Sequence, residues 1–381
     1  MKRTFMGFGI QNTLNRVFTS AIYTYSIFFK SVGCMVLALL LFSCSSTHLI
    51  QRETLMDRST LPPRYSIIFV IHGDSDYLYH DSRGNAHRAD EEALIGATLV
   101  AERNPQAEVF IFHQRPRNHV LLFFPHPDGQ MYYYRNGQLL AKKSYWRDQG
   151  QARFYPEAEL YHRYHADEHP QLARLFFYFG HEIPGFDGVG YDASYGHWTF
   201  TVNDLAAGLK RITRESSRFD LIVLSTCFGG VPNTIAALAP YAKTIVASPD
   251  NLHLSYFSLH PFERLDVGLR DGDVATFAKK IARQSFDRLT EDVQTAVSVA
   301  VYDVNRVQAY LDSIDFVYDR TLTTLKGLNP ESVKHCDCAD DSAYVLPGME
   351  DGVDVLYRPP RFGRLKHKQY HSGWECWMLV Q

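Results

Sequence analysis

Residues 218–239 read RFDLIVLSTCFGGVPNTIAALA, and their reading decides the fold. Leu221 to Leu224 is an unbroken apolar run, too short for a helix and suited to a strand buried on both faces. Ser225-Thr226-Cys227 closes it, and Phe228-Gly229-Gly230 turns the chain. Residues 231–239 then carry helical spacing, with Pro232 in the first turn, where a proline is tolerated. A cysteine between a buried strand and a helix start sits near the positive end of that helix. Such a place favours the thiolate, the nucleophilic form of the side chain.

Working outward, the same strand signature recurs. Residues 65–71 (YSIIFVI), 108–113 (EVFIFH), 172–180 (LARLFFYFG) and 243–247 (KTIVA) are apolar runs, and helical patterns at 89–103 and 202–214 lie between some of them. Alternation of this kind predicts an α/β fold: a mainly parallel central sheet, right-handed crossovers and helices on both faces. Between residues 115 and 151 the rhythm changes. Asp128-Gly129 and Asn136-Gly137 are hairpin signals, so an antiparallel β insertion is expected at about 120–142. Its three tyrosines, 132–134, fit strand faces. Residues 273–289 and 292–311 are expected to be long helices, and residues 331–381 irregular, with a basic patch at 361–368.

The chain has 381 residues, 45% hydrophobic and 21% charged, with net charge −3. That charge offers no basic field for nucleic acid. Its first 30 residues carry Lys2, Arg3, Arg16 and Lys30 and no acid, ahead of the apolar run VGCMVLALLLF at 32–42. The run is short for a membrane span. A basic region, a short apolar region and a small residue before Cys44 resemble a bacterial lipobox, with Cys44 as the lipidated residue. The expected division is 1–43 signal segment, 44–63 polar tether, 64–320 α/β domain and 321–381 C-terminal extension. Partners follow: a lipid bilayer through the acyl anchor, in the cell envelope, and no nucleic acid. Of the exported cysteines, Cys336 or Cys338 with Cys376 forms a plausible bridge, leaving Cys227 as a thiol.

In open α/β sheets, function gathers beyond the carboxyl ends of the strands. Those ends here carry His72, His113, His181, Cys227 and Asp250. A cysteine nucleophile needs a base that takes its proton and returns it to the leaving group. His181 and Cys227 follow successive strands and would share one rim.

LARLFFYFGHE at 172–182, FDLIVLSTCFGG at 219–230 and TIVASPDN at 244–251 together resemble the caspase-like (clan CD) cysteine peptidases, closest to the clostripain family. The resemblance implies a three-layer caspase-like sandwich over 64–320 and hydrolysis of peptide bonds in a peptide or protein substrate. It assigns His181 as base and Cys227 as nucleophile, with the backbone N–H groups of Cys227 and Glu182 holding the oxyanion. No cofactor is required; calcium, used by some peptidases of this clan, would have acids at 187–192. Two residues depart from the pattern. Glu182 stands where the family has glycine, and Ser225 where clostripain-like enzymes place the acid that binds a basic P1 side chain. Asp250 supplies an acid at the next strand end, and Ser225, Asp250 and Phe228 are the expected pocket residues. Alternative readings are an inactive caspase-like scaffold lipoprotein, and an α/β-hydrolase-type esterase using Ser225 to Gly229 as an elbow. His72-x-Asp74-x-Asp76 and His162 to His169 offer metal-type ligands without a strong zinc spacing.

Overall fold

The computed structural model describes residues 62–379, except 74–77, 81–85, 117–118, 121–123, 148–153, 166–171, 186–187, 189–190, 214–217, 253–256, 270–272 and 326–332. The lipobox and Cys44 therefore lie outside the described residues, as do Asp74, Asp76, Asp187 and His169.

Strand β1 (Tyr65–His72) is buried at every position. Helix α1 (Ala89–Arg103) crosses to β2 (Ala107–Gln114), which pairs with β1 in parallel. Then β3 (Gly129–Arg135) pairs antiparallel with β2, and β4 (Gln138–Tyr145) pairs antiparallel with β3, extending the sheet. Their turn uses Asn136 and Gly137 at φ 55° and 72°, the left-handed pair a two-residue hairpin needs. The expected insertion is thus the sheet's own edge. Helix α2 (Tyr155–Tyr164) precedes β5 (Ala173–Phe179), and α3 (Val202–Thr213) leads into β6 (Phe219–Ser225). Helix α4 (Pro232–Leu238) returns the chain to β7 (Ala242–Ala247).

After α5 (Val274–Asp292) the sequence reading is overturned. Residues 292–311 were expected to be helical, but β8 (Val297–Asp303) is a strand antiparallel to β7, and only then does α6 (Val304–Leu325) begin. Val297, Val299 and Val301 alternate with Ser298, Ala300 and Tyr302, and all six are buried. A β-branched residue at every second position fits a pleated, two-sided strand better than a helix face.

The C-terminal region is also ordered structure. Strand β9 (Val333–Asp337) pairs with β11 (Glu375–Leu379), while β10 (Val353–Arg358) joins the main sheet beside β8. The expected boundary at 320/321 falls inside α6, and residues 59–381 form one compact unit.

The main sheet has the order β10-β8-β7-β6-β5-β1-β2-β3-β4. Its centre, β7 to β2, is parallel, with antiparallel strands on both flanks. One apolar core joins the sheet to α1 and α5, and a second joins it to α2, α3, α4 and α6. This is the three-layer α/β arrangement expected, and β5 and β6 are neighbours in it.

Candidate active site

The register of β5 and β6 places the expected pair. Phe179 lies opposite Ser225, and the Gly180 N–H donates to the Ser225 carbonyl at 3.4 Å. His181 and Cys227 each stand two residues beyond these partners, in the loops that leave adjacent parallel strands. Both are half-buried. A rim position with partial exposure is what an attacking group requires.

The Cys227 thiol has two partners that the sequence did not point to. Its Sγ donates to the Asn251 side-chain oxygen at 3.2 Å, and the Leu252 N–H donates to Sγ at 3.3 Å. A backbone N–H aimed at sulfur favours the thiolate. The turn behind them is fixed. Ser248 Oγ donates to the carbonyls of Asp250 and Ser298, and the Asp250 N–H donates to Ser298 Oγ.

Phe228, next to the thiol, has φ 50°, the left-handed region that costs a bulky residue about 1 kcal/mol or more. Its N–H donates to the Asp250 carbonyl at 3.2 Å. Gly230 N–H donates to the Ser248 carbonyl, and the Gly230 carbonyl accepts from the Glu375 N–H at 3.1 Å. Glycine is needed at 230 for room: a Cβ there would meet Tyr302 Oη at 2.4 Å. By contrast, Glu182 is not among the residues at positive φ, so the site does not need glycine's freedom after His181.

Two expected pocket residues are placed differently. Ser225 is 1% exposed, and its Oγ accepts the Phe257 N–H at 2.9 Å, so it braces the loop beneath the rim and faces no open pocket. Asp250 contributes a buried carboxylate oxygen to a cluster with His371 and Glu375, their nearest atoms all within 4.8 Å. Burial pushes the Glu375 carboxyl up to about 7; the His371 hydrogen bond opposes this and the Asp250 charge adds to it. Burial would depress His371, but the Glu375 hydrogen bond and the charges of Asp250 and Asp337 leave it raised. Within the cluster the Gly373 N–H donates to His371 Nδ1, and His371 Nε2 faces Glu375 at 3.6 Å. Of the acids at 187–192 that the resemblance offers to calcium, Asp187 lies outside the described residues. Asp192 is held by Arg147 at 2.6 Å and accepts the Ser194 N–H.

The other histidines at strand ends are structural. His72 is buried, 3.0 Å from Gln114 Oε1 and stacked on Tyr191. His113 is bonded to Asp90 at 2.8 Å. Burial would raise the Asp90 carboxyl, but His113 and Arg88 hold it below the usual range. Trp198 stacks on Tyr195 under the Arg147 guanidinium. His162 reaches the Arg211 carbonyl and His165 pairs with Glu108, which removes both from any metal set.

The C-terminal β9–β11 pair, an open hairpin whose connection carries β10, also reaches this rim, a contact with no local sequence signal. His335 lies flat on Phe228, with ring centroids 3.7 Å apart and 5° between planes, and its Nε2 is 3.3 Å from Glu182 Oε1. The hairpin is closed by the Cys338–Cys376 disulfide, one of the two bridges expected, and leaves Cys336 as a free thiol.

The clostripain peptidase family model matches residues 181–344, from the histidine of the pair through the first strand of that hairpin. Among solved structures, the chain is similar to an inactive zymogen of a C11 protease from Parabacteroides distasonis. The TM-score is 0.54 at 13% identity, over 83% of this chain and 92% of that one. Likeness at this identity carries the fold. A secreted C11 cysteine protease from Bacteroides thetaiotaomicron, iotapain, aligns at TM-score 0.47 and 10% identity, over 71% of this chain and 73% of that one. No curated protein matches the chain in sequence.

Proposed function

We propose that this chain, a clostripain-like cysteine peptidase by family match and fold, cleaves peptide bonds by acyl transfer through Cys227 and His181. The observation that supports the reading is the register: two residues of complementary chemistry each follow, by two residues, a pair of facing residues at the ends of neighbouring parallel strands, inside the family match. Cys227 attacks the scissile carbonyl as thiolate. His181 protonates the leaving amine, then takes a proton from the water that releases the acyl group. The oxyanion forms beside the Cys227 and Glu182 N–H groups, donors that need no particular side chain. A third acid is not demanded, because a thiol ionises more readily than a hydroxyl.

The test is a peptide-library digest with wild type, Cys227→Ala and His181→Ala. The reading expects cleavage by wild type alone. Retained cleavage by Cys227→Ala moves the nucleophile elsewhere. An inert wild type with unreactive Cys227 points to a scaffold on this fold. Ser225 is buried and is no acid, and the Asp250 carboxylate sits within 4.8 Å of His371 and Glu375, a cluster that a basic P1 side chain would have to enter. Asp250→Ala is therefore expected to lower the melting temperature more than it changes the residue cleaved.

Export and lipidation belong to the same proposal and rest on residues 1–46. The acyl chain on Cys44 would tether the peptidase to the envelope through 45–61. Fatty-acid labelling of wild type and Cys44→Ala decides it: label on both, or on neither, removes the anchor.

A further inference from the structure

The residue after each member of the proposed pair is held by one side chain from the far end of the sequence. Glu182 follows His181 and Phe228 follows Cys227. His335, in β9, stacks on the Phe228 ring and puts Nε2 3.3 Å from the Glu182 carboxylate. The same hairpin makes two further contacts with these loops. Trp377, in β11, packs on Gly185, where a Cβ would fall 2.4 Å from its ring. The Glu375 N–H donates to the Gly230 carbonyl.

We infer that His335 is a positioning residue for peptide hydrolysis: it clamps the loop after His181 to the turn after Cys227 and so fixes the distance between base, thiol and oxyanion donors. The inference rests on the Cys227–His181 reading. Phe228 is at φ 50°, a conformation that persists only where surroundings hold it. A parallel ring at 3.7 Å is such a hold. Glu182 takes the place of the family's glycine without adopting a glycine conformation, and its carboxylate meets His335. The substitution thus has a use: it gives the loop after the histidine a handle for the hairpin. Both oxyanion donors lie on the two segments that the clamp joins, at Glu182 and at Cys227. Reaction geometry tolerates little error, and a displacement of about 1 Å costs about 100-fold in rate.

The experiment uses the full chain and a cleaved peptide, with kcat, KM, melting temperature and the alkylation rate of Cys227 measured for each variant. His335→Ala is expected to lower kcat by about 10- to 100-fold with KM within about threefold. His335→Phe, which keeps a ring on Phe228, and His335→Gln, which keeps a polar group toward Glu182, are each expected to recover part of that loss. Glu182→Gln, which keeps a polar group toward His335, should lose less than His335→Ala, and Glu182→Ala combined with His335→Ala should be no slower than His335→Ala alone, the mark of a shared function. Should His335→Ala unfold, the Phe and Gln variants decide, with partial kcat losses at an unchanged melting temperature expected. Wild-type kcat in both, or additive losses in the double variant, overturns the clamp while Cys227→Ala remains dead. Cleavage by Cys227→Ala overturns the parent reading and the clamp together.

Discussion

Opening the Cys338–Cys376 bridge tests how far the rim depends on the hairpin. The bridge closes a loop with a sequence separation of 38. In the chain-entropy account, a loop of that length restrains the unfolded chain by about 13 cal/mol/K, or about 4 kcal/mol at 25 °C. Unfolding entropy for a unit of about 320 residues is roughly 0.7 kcal/mol/K, so a 4 kcal/mol loss lowers the melting temperature by about 6 °C. The local effect comes first. The hairpin touches the rim through His335, Trp377 and the Glu375 amide, so loosening it should reduce turnover below the melting transition. The perturbation is Cys338→Ala with Cys376→Ala, which also removes Cys376 as a partner for the free Cys336 opposite it in the register. Differential scanning fluorimetry and initial rates at 25 °C read the two effects. A melting temperature within about 1 °C of wild type together with unchanged kcat refutes the reasoning: the hairpin would then be held by its packing alone.

Three further outcomes are expected. Gly230→Ala puts a Cβ 2.4 Å from Tyr302 Oη and 3.0 Å from the Pro249 backbone, so overpacking of about 1–3 kcal/mol and a displaced nucleophile turn should appear as lower melting temperature and lower kcat. Asn251→Asp sets a carboxylate against the Cys227 sulfur and should slow its alkylation near pH 7 several-fold, because a neighbouring like charge opposes the thiolate. Stability should fall as pH rises from about 4.5 to 7: folded Glu375 keeps until about 7 a proton that the unfolded chain releases near 4.5, a loss of up to about 3 kcal/mol. His371, raised by the same cluster, has the same sign, with stabilisation present below 6.5 and lost as pH passes its folded value. Melting temperatures at pH 5.5 and 8 read the slope, which Glu375→Gln should flatten; an equal slope in that variant sinks the assignment.

The parallel centre was legible because burial on both faces leaves a strong mark. YSIIFVI and LIVL are apolar without alternation, and a strand with helices above and below is the economical home for such runs. Asn136-Gly137 was legible for a different reason: its turn needs two left-handed residues, and few pairs supply them. Strand β8 was misread because Ala296, Val297 and Ala300 also satisfy a helical period, and helix and strand templates overlap in short apolar segments. What decided it was position between β7 and β10, a tertiary fact. Strand β10 has a half-buried pattern and polar neighbours, so its sequence reads as loop.

At the site, the legible part was what strand ends impose. His181 and Cys227 came from counting residues past two apolar runs, and the register pairs the last strand residues before them, Phe179 and Ser225. Ser225 went astray because it is the last residue of β6 and still buried, where its hydroxyl is taken by the Phe257 N–H, whereas Cys227 lies two residues past the strand end and is half-buried. Asn251 lies past the end of β7, and only the folded turn brings its side chain to the Cys227 sulfur. His335 left no local trace, because its function depends on a contact across 107 residues with Phe228 and 153 with Glu182. Yet a clue stood in the sequence at 182. A departure from glycine that the backbone tolerates frees a side chain to do something new. A carboxylate on the loop after the proposed base has a short list of partners able to meet it. Among the described residues, the one 3.3 Å away also lies flat on the residue after the nucleophile. A chain that places one imidazole against both loops can set the spacing of its reacting groups from outside the sheet that carries them.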